Sequence, residues 1–227
     1  MDTSTRRPDR LSFGLALAGG TGLAAAAGFV DAVVLAHAGY AVTHVTGAAA
    51  NLATDLALNK PTLAGAVLSV LASFMLGAGI AGLLIGESGL RIGRRYGLAM
   101  LLEAALLTAA ALFLTDRVLT GACLAAAAAG LQNGMASTYA GLIVRTTHLT
   151  GIATDLGFLA GSWLRTRSVE AWRFLMLAAL MSGFLLGAGV GAIAQSELAE
   201  RALFIPAGVL CCVGLTYFLW RRANRAA

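Results

Sequence analysis

The sequence predicts an all-α membrane protein built from two inverted repeats, each with three transmembrane helices plus one re-entrant or broken half-helix. Three observations carry this: an apolar composition, a series of segments long enough to cross a bilayer, and a short polar string that recurs at a nearly constant offset. Of 227 residues, 59% are apolar and only 12% are charged, against roughly 25% charged in soluble domains. With a mean hydropathy of +0.81, a soluble globule and a disordered tail are both excluded. The 28 Gly show no triplet period, which excludes a collagen-like chain. The three cysteines, Cys123, Cys211 and Cys212, have no framework spacing for disulfides. The net charge of +5 comes from arginines in short runs between apolar segments. These are topology signals, so no nucleic-acid partner is expected.

A spanning helix needs about 20 mostly apolar residues. Six segments qualify: roughly 12–36, 62–86, 97–115, 118–144, 172–194 and 202–220. The first follows Arg6, Arg7 and Arg10, where a cleaved or twin-arginine signal must be considered. Its apolar run is longer than a signal core of about 7 to 15 residues, so it is expected to remain as a span. Two weaker stretches, 40–58 and 146–163, are apolar but carry Thr, His, Asn or Asp at their centres. Function is to be sought there.

Self-comparison gives three collinear matches. Ala27-Gly28-Phe29-Val30-Asp31 pairs with Ala129-Gly130-Leu131-Gln132-Asn133, at an offset of 102. Thr43-His44-Val45-Thr46-Gly47 pairs with Thr147-His148-Leu149-Thr150-Gly151, at 104, and Phe74 to Gly79 pairs with Phe184 to Gly189, at 110. The second match holds two of the chain's three histidines. The whole chain, 1–227, therefore reads as a single membrane domain, with internal repeats at about 12–115 and 118–220.

Charge bias separates two topologies. If all eight segments cross, giving parallel repeats, eleven Lys/Arg are cytoplasmic and five external. If 40–58 and 146–163 dip in and return, thirteen are cytoplasmic and only Lys60, Arg117 and Arg201 are external. The second arrangement, six full spans with inverted repeats and both termini cytoplasmic, fits better.

The β-branched run Val42, Thr43, Val45, Thr46 favours extended chain, and the helix-forming run from Gly47 to Leu58 follows, with Thr46 expected as N-cap. The second copy puts Thr150 before Gly151 in the same way. Twelve residues make a helix about 18 Å long, roughly half the hydrocarbon thickness. Its N-terminus is then expected near the midplane, facing its counterpart, where two sets of unpaired N–H groups suit an anion or a polar group.

Ionised side chains are costly inside a bilayer, so Asp31, Asp55, Glu103, Asp155, His44 and His148 are expected to face the interior. Asp31 and Asn51 in the first repeat correspond to Asn133 and Asp155 in the second, an exchange of one acid and one amide. The expected solute-binding residues are Asp31, Thr43, His44, Thr46, Gly47, Asn51, Asn133, Thr147, His148, Thr150, Gly151 and Asp155, joined in a network around the pseudo-two-fold axis. Proton coupling could use Asp31, Asp55, Glu103 or Asp155. Arg145 is expected to be a cytoplasmic topology charge rather than a solute clamp. No metal or redox cofactor is indicated, and the partners expected are the lipid bilayer, a small-molecule solute and, by analogy with small solute channels, a second copy of the chain.

On the strings Ala27-Gly28-Phe29-Val30-Asp31-Ala32, Val45-Thr46-Gly47, Gly130-Leu131-Gln132-Asn133 and Leu149-Thr150-Gly151, the chain resembles the YoaK family of bacterial integral membrane proteins. The resemblance covers most of the chain. It implies a multi-span protein of a bacterial cytoplasmic (inner) membrane and supplies no substrate. Where such proteins usually carry Asn after the first Thr-Gly, this chain has Ala48.

The leading functional expectation is a channel or transporter for a small polar or anionic solute. A non-transporting membrane scaffold is the alternative. An intramembrane enzyme is less favoured, since no His-Glu-x-x-His, Gly-x-Ser-x-Gly or phosphate-loop motif is present.

Overall fold

A computed structural model describes residues 10–85, 94–136, 146–168 and 170–223. The N-terminal arginine pair Arg6-Arg7, Arg91, the 137–144 part of the fourth expected span and Arg145 lie outside the described residues.

Among the described residues the protein is all-helical: α1 (Arg10–Ala38), α2 (Val45–Ala57), α3 (Pro61–Ile85), α4 (Arg94–Leu114), α5 (Val118–Ala136), α6 (Leu149–Thr166), α7 (Ala171–Leu198), a 3-10 helix (Ala199–Leu203) and α8 (Phe204–Ala223). The candidate spans are Phe13–Ala38, Pro61–Ile85, Arg95–Leu114, Val118–Ala136 and the 49-residue run Ala171–Leu219. That last run is too long for one crossing at about 1.5 Å per residue. Ala199, at φ 51°, breaks it, so α7 and α8 are separate. This is a multi-pass membrane protein.

Helices cross where glycines remove side chains. A Cβ placed at Gly28 on α1 would collide with the Phe184 carbonyl on α7; one at Gly130 on α5 would collide with the Phe74 carbonyl on α3. Gly187 likewise meets Ala25, and Gly77 meets Ala127. These contacts repeat the sequence offsets: Gly28 and Gly130 correspond, as do Phe184 and Phe74, Gly187 and Gly77, Ala25 and Ala127. Thus α1 packs backbone to backbone on α7, and α5 on α3, as small residues allow in membranes. Gly183, Gly187 and Gly191 approach Thr21, Ala25 and Phe29 in turn, so α1 and α7 run in the same direction.

The alanine-rich α5 is buried along most of its length. It packs on α3 and α4, while α4 also packs on α8. One core cluster joins the C-terminal half of α1 (Phe29, Val30, Val33, Val34) to the N-terminal half of α5 (Ala122, Ala125, Ala126), the C-terminal half of α4, and Leu203. A second joins Leu23, Leu102 and Leu106 to Leu131 and Met135. Hence α1 and α5 run in opposite directions.

The end of α1, the α4–α5 turn and the α7–α8 turn meet on one face. There the Glu200 carboxylate accepts from the Thr115 hydroxyl at 2.9 Å and lies 3.8 Å from His37 Nδ1. The Glu200 backbone N–H holds that carboxyl below its ordinary range against desolvation, and Thr115, His37 and Arg201 add to the lowering.

Candidate functional site

The two weak segments form helices that lie against the bundle rather than within it. α2 rests on α3 and α6 on α7; α2 has no fully buried residue, and Ile152 alone is buried on α6. Just before each helix a threonine, Thr43 or Thr147, is tied to a long helix.

In the first repeat, α1 ends at Ala38 and Gly39 turns the chain at φ 75°, a left-handed conformation that glycine adopts without steric cost. The chain then returns along α1 to Asp31, seven residues back from the end of α1, or about 10 Å deeper. Asp31 Oδ1 accepts from the Thr43 backbone N–H at 2.9 Å and from the Thr43 hydroxyl at 2.8 Å. Asp31 Oδ2 lies 3.1 Å from His44 Nδ1. Asp31 and Thr43 are each 3% exposed, so two hydrogen bonds from Thr43, with the His44 ring beside Oδ2, offset the cost of burying the carboxylate.

The second repeat builds the same tether from neutral groups. The Asn133 amide donates to the Thr147 hydroxyl, and the Thr146 hydroxyl donates to Asn133 Oδ1 at 3.3 Å. Gln132 Nε2 donates to the Leu23 carbonyl at 2.6 Å and to Thr146 at 3.4 Å. Gln132 and Thr146 are 2% and 0% exposed, and sequence reasoning did not single out either. The signal was present in the Gln132-Asn133 and Thr146-Thr147 doublets, each of which supplies one partner to the other.

Helix starts correct the expected caps. His44 and His148, not Thr46 and Thr150, occupy the N-cap positions, with similar backbone angles and no side-chain cap hydrogen bond. The physical reason is the tether: the Thr43 and Thr147 hydroxyls are engaged with Asp31 and Asn133, and the chain turns helical two residues later. The first intrahelical bonds are Ala48 N–H to His44 carbonyl and Ile152 N–H to His148 carbonyl. The N–H groups of Val45, Thr46 and Gly47 therefore precede the ladder, as do those of Thr150 and Gly151, and a helix N-terminus of this kind carries partial positive charge.

The other expected residues are placed as follows. Thr46, Gly47, Asn51, His148, Thr150 and Asp155 are exposed, and Asp55 is half-buried near the end of α2. The expectation that His148 and Asp155 face the interior is thus corrected: Leu149, Ile152 and Leu156 form the stripe of α6 that packs on the bundle, and Asp155 falls off that stripe. On α2, Ala48, Leu52 and Asp55 form the less exposed stripe, and Asn51, three residues from Ala48 and four from Asp55, flanks it on the exposed side. Among the described contacts these residues gather in two clusters, one around Asp31 and one around Asn133, rather than in one network around an axis. Glu103, on α4, is 1% exposed and its Oε2 has no hydrogen-bond partner; it joins neither cluster.

The histidines differ. His44 faces Asp31 and packs edge-on to Phe184, ring centroids 5.9 Å apart; the His148 ring covers Gly151, where a Cβ would collide with it. The family model described as "Protein of unknown function (DUF1275)" matches residues 19–216, a range that includes both tethers and all of α1 beyond its second turn. The chain belongs to the DUF1275 family. Neither the curated proteins nor the solved structures contain a match. For this DUF1275 protein the geometry of the two tethers is therefore the starting point for function. Among the described residues no group of three or more His, Cys, Asp or Glu is arranged to hold a metal ion.

Proposed function

We propose that this DUF1275 protein is a channel or transporter for a small polar or anionic solute in a bacterial inner membrane. It is built from two inverted repeats of three spans plus a re-entrant half-helix. The observation that carries the reading is the duplicated tether, Asp31 to Thr43 and Asn133 to Thr147. It ties the start of each half-helix to a long helix, and in the first repeat draws that start about 10 Å below the end of α1, so that unpaired N–H groups lie at membrane depth. Irregular backbone at that depth is tolerated where protein buries it or water reaches it, and inverted repeats with half-helices are a common transporter plan.

The contact of Glu200 with Thr115 and His37 supports the inverted arrangement. It brings the ends of α1, α4 and α7 to one face. Since α3 and α4 both cross, α2 then makes no net crossing; eight crossings would put the ends of α1 and α4 on opposite faces. α6, about 27 Å long at 18 residues, would carry Trp163 and Arg165 from its buried start out to the cytoplasmic interface, with both termini cytoplasmic. The narrower likeness to YoaK proteins rests on the tether strings themselves.

A scaffold role is the second reading, favoured by how fully the hydrogen bonds of Asp31 are used within its own repeat. Flux separates the two. Purified protein in liposomes is exposed to steps of potassium nitrate, potassium formate or glycerol, and volume recovery is followed by light scattering. The expected result is faster recovery than in empty liposomes for at least one probe, with at least tenfold loss in Asp31→Asn, Thr46→Val or His148→Gln proteins that remain folded. Rates equal to empty liposomes for all probes, or variants as fast as the unmodified protein, would favour the scaffold.

A further inference from the structure

The two tethers are built alike but from different chemistry, and the difference bears on what the site can carry. Asp31 uses Oδ1 for both Thr43 donors and presents Oδ2 to His44 at 3.1 Å. An acceptor at that position requires a hydrogen on His44 Nδ1. In neutral imidazole one ring nitrogen donates and the other accepts, so Nε2 is left with its lone pair, on a side chain 40% exposed. A carboxylate behind a histidine in this way both orients the ring and stabilises its cation.

We propose that His44 is the proton-binding residue of this site, with Asp31 as its positioning residue, and that the second repeat binds no proton in the same way. The step is a simple transfer. A weakly acidic solute or a hydrated proton gives up H⁺, an N–H bond forms at Nε2, and the resulting imidazolium faces the Asp31 carboxylate, leaving the pair neutral overall. In the second repeat Asn133 stands where Asp31 does, its amide is engaged by Thr146 and Thr147, and the His148 ring lies over Gly151. The Asp-to-Asn exchange thus makes two structurally matched half-sites chemically unequal. Any coupling of solute movement to protons would then run through the first repeat; that consequence rests on the transport reading, whereas the dyad itself does not.

The surroundings of His44 contain little else that titrates. α3 has no ionisable side chain, α7 has none between Arg173 and Glu197, and α2 has only Asp55, eleven residues beyond His44. On α1 the other described titratable side chain is His37, engaged with Glu200, and Tyr40 lies in the connecting turn.

The test is nitrogen NMR of ring-labelled histidine in lipid nanodiscs. The chain has three histidines, assigned through His37→Gln, His44→Gln and His148→Gln. The expected result is a neutral His44 that carries its proton on Nδ1, and a titration midpoint that falls by about one pH unit or more in Asp31→Asn. A neutral His44 protonated on Nε2, or a midpoint unmoved in folded Asp31→Asn, would overturn the proposal. If Asp31→Asn does not fold, the tautomer in the unmodified protein decides alone. Failure of the transport reading looks different: His44 would titrate as described while no probe crosses the vesicle membrane. To distinguish proton sources, the spectra are taken with and without formate at fixed pH. An effect of formate on His44 assigns the weak acid as donor, and its absence assigns hydrated protons.

Discussion

Replacing Gly130 with alanine is expected to cost the protein about 3 kcal/mol or more, the upper end of what overpacking usually costs. Gly79→Ala, in the adjacent helix α3, is expected to cost nothing measurable. At Gly130 the added Cβ would collide with the Phe74 carbonyl, a backbone atom that cannot rotate away; at Gly79 nothing lies within 4 Å. Gly28→Ala should behave like Gly130→Ala, because the crossing of α1 on α7 mirrors that of α3 on α5. Thermal unfolding in detergent, followed by tryptophan fluorescence and size-exclusion profile, is the measurement. Equal melting temperatures for Gly130→Ala and Gly79→Ala would mean that the helices do not meet backbone to backbone.

Asp31→Ala is the second large effect, expected to destabilise by about 2 to 4 kcal/mol, because it strands the buried Thr43 donors and removes the partner of His44. Asn133→Ala should cost less, about 1 to 2 kcal/mol, since the groups it strands are neutral. The pH dependence has a definite sign. A protonated His44 faces the Asp31 carboxylate at 3.1 Å, an attraction that is lost as the ring gives up its proton, so the His44 contribution is largest at low pH and fades as pH rises. The gap in melting temperature between the unmodified protein and Asp31→Ala should therefore be widest at low pH and narrow as pH rises. The Thr43 hydrogen bonds should keep it from closing. A gap independent of pH would show that His44 contributes nothing to the tether.

Much of the fold was legible because crossing a bilayer imposes a length and composition that a sequence shows directly. The expected spans 62–86, 97–115 and 172–194 lie within a few residues of α3, α4 and α7, and the break before 202 is realised at Ala199. The recurring glycine strings have a physical use in the structure: Gly28, Gly77, Gly130 and Gly187 each stand at a backbone crossing where no larger residue fits. Depth along the chain, however, says nothing of angular position. Asp155 was expected inside because its segment is apolar, yet the stripe Leu149, Ile152, Leu156 decides which side of α6 is covered. The cap positions were read two residues late because a threonine before a helix was assumed to serve that helix. In the structure Thr43 and Thr147 serve the preceding long helix instead, a pairing of residues 12 and 14 apart that local capping rules do not contain. Gln132 was passed over for the same reason, since its partners Leu23 and Thr146 are remote in sequence.

The central claim is that α2 returns to the face from which it started. The most direct measurement places single cysteines at Lys60, Arg117 and Arg167 in a protein freed of Cys123, Cys211 and Cys212, and labels intact cells with an impermeant thiol reagent. The account predicts that positions 60 and 117 label from outside and that 167 labels only after the membrane is permeabilised. Positions 60 and 117 labelling only after permeabilisation, together with 167, would mean that α2 and α6 cross the membrane, and would contradict the inverted repeat and the half-helix site built on it.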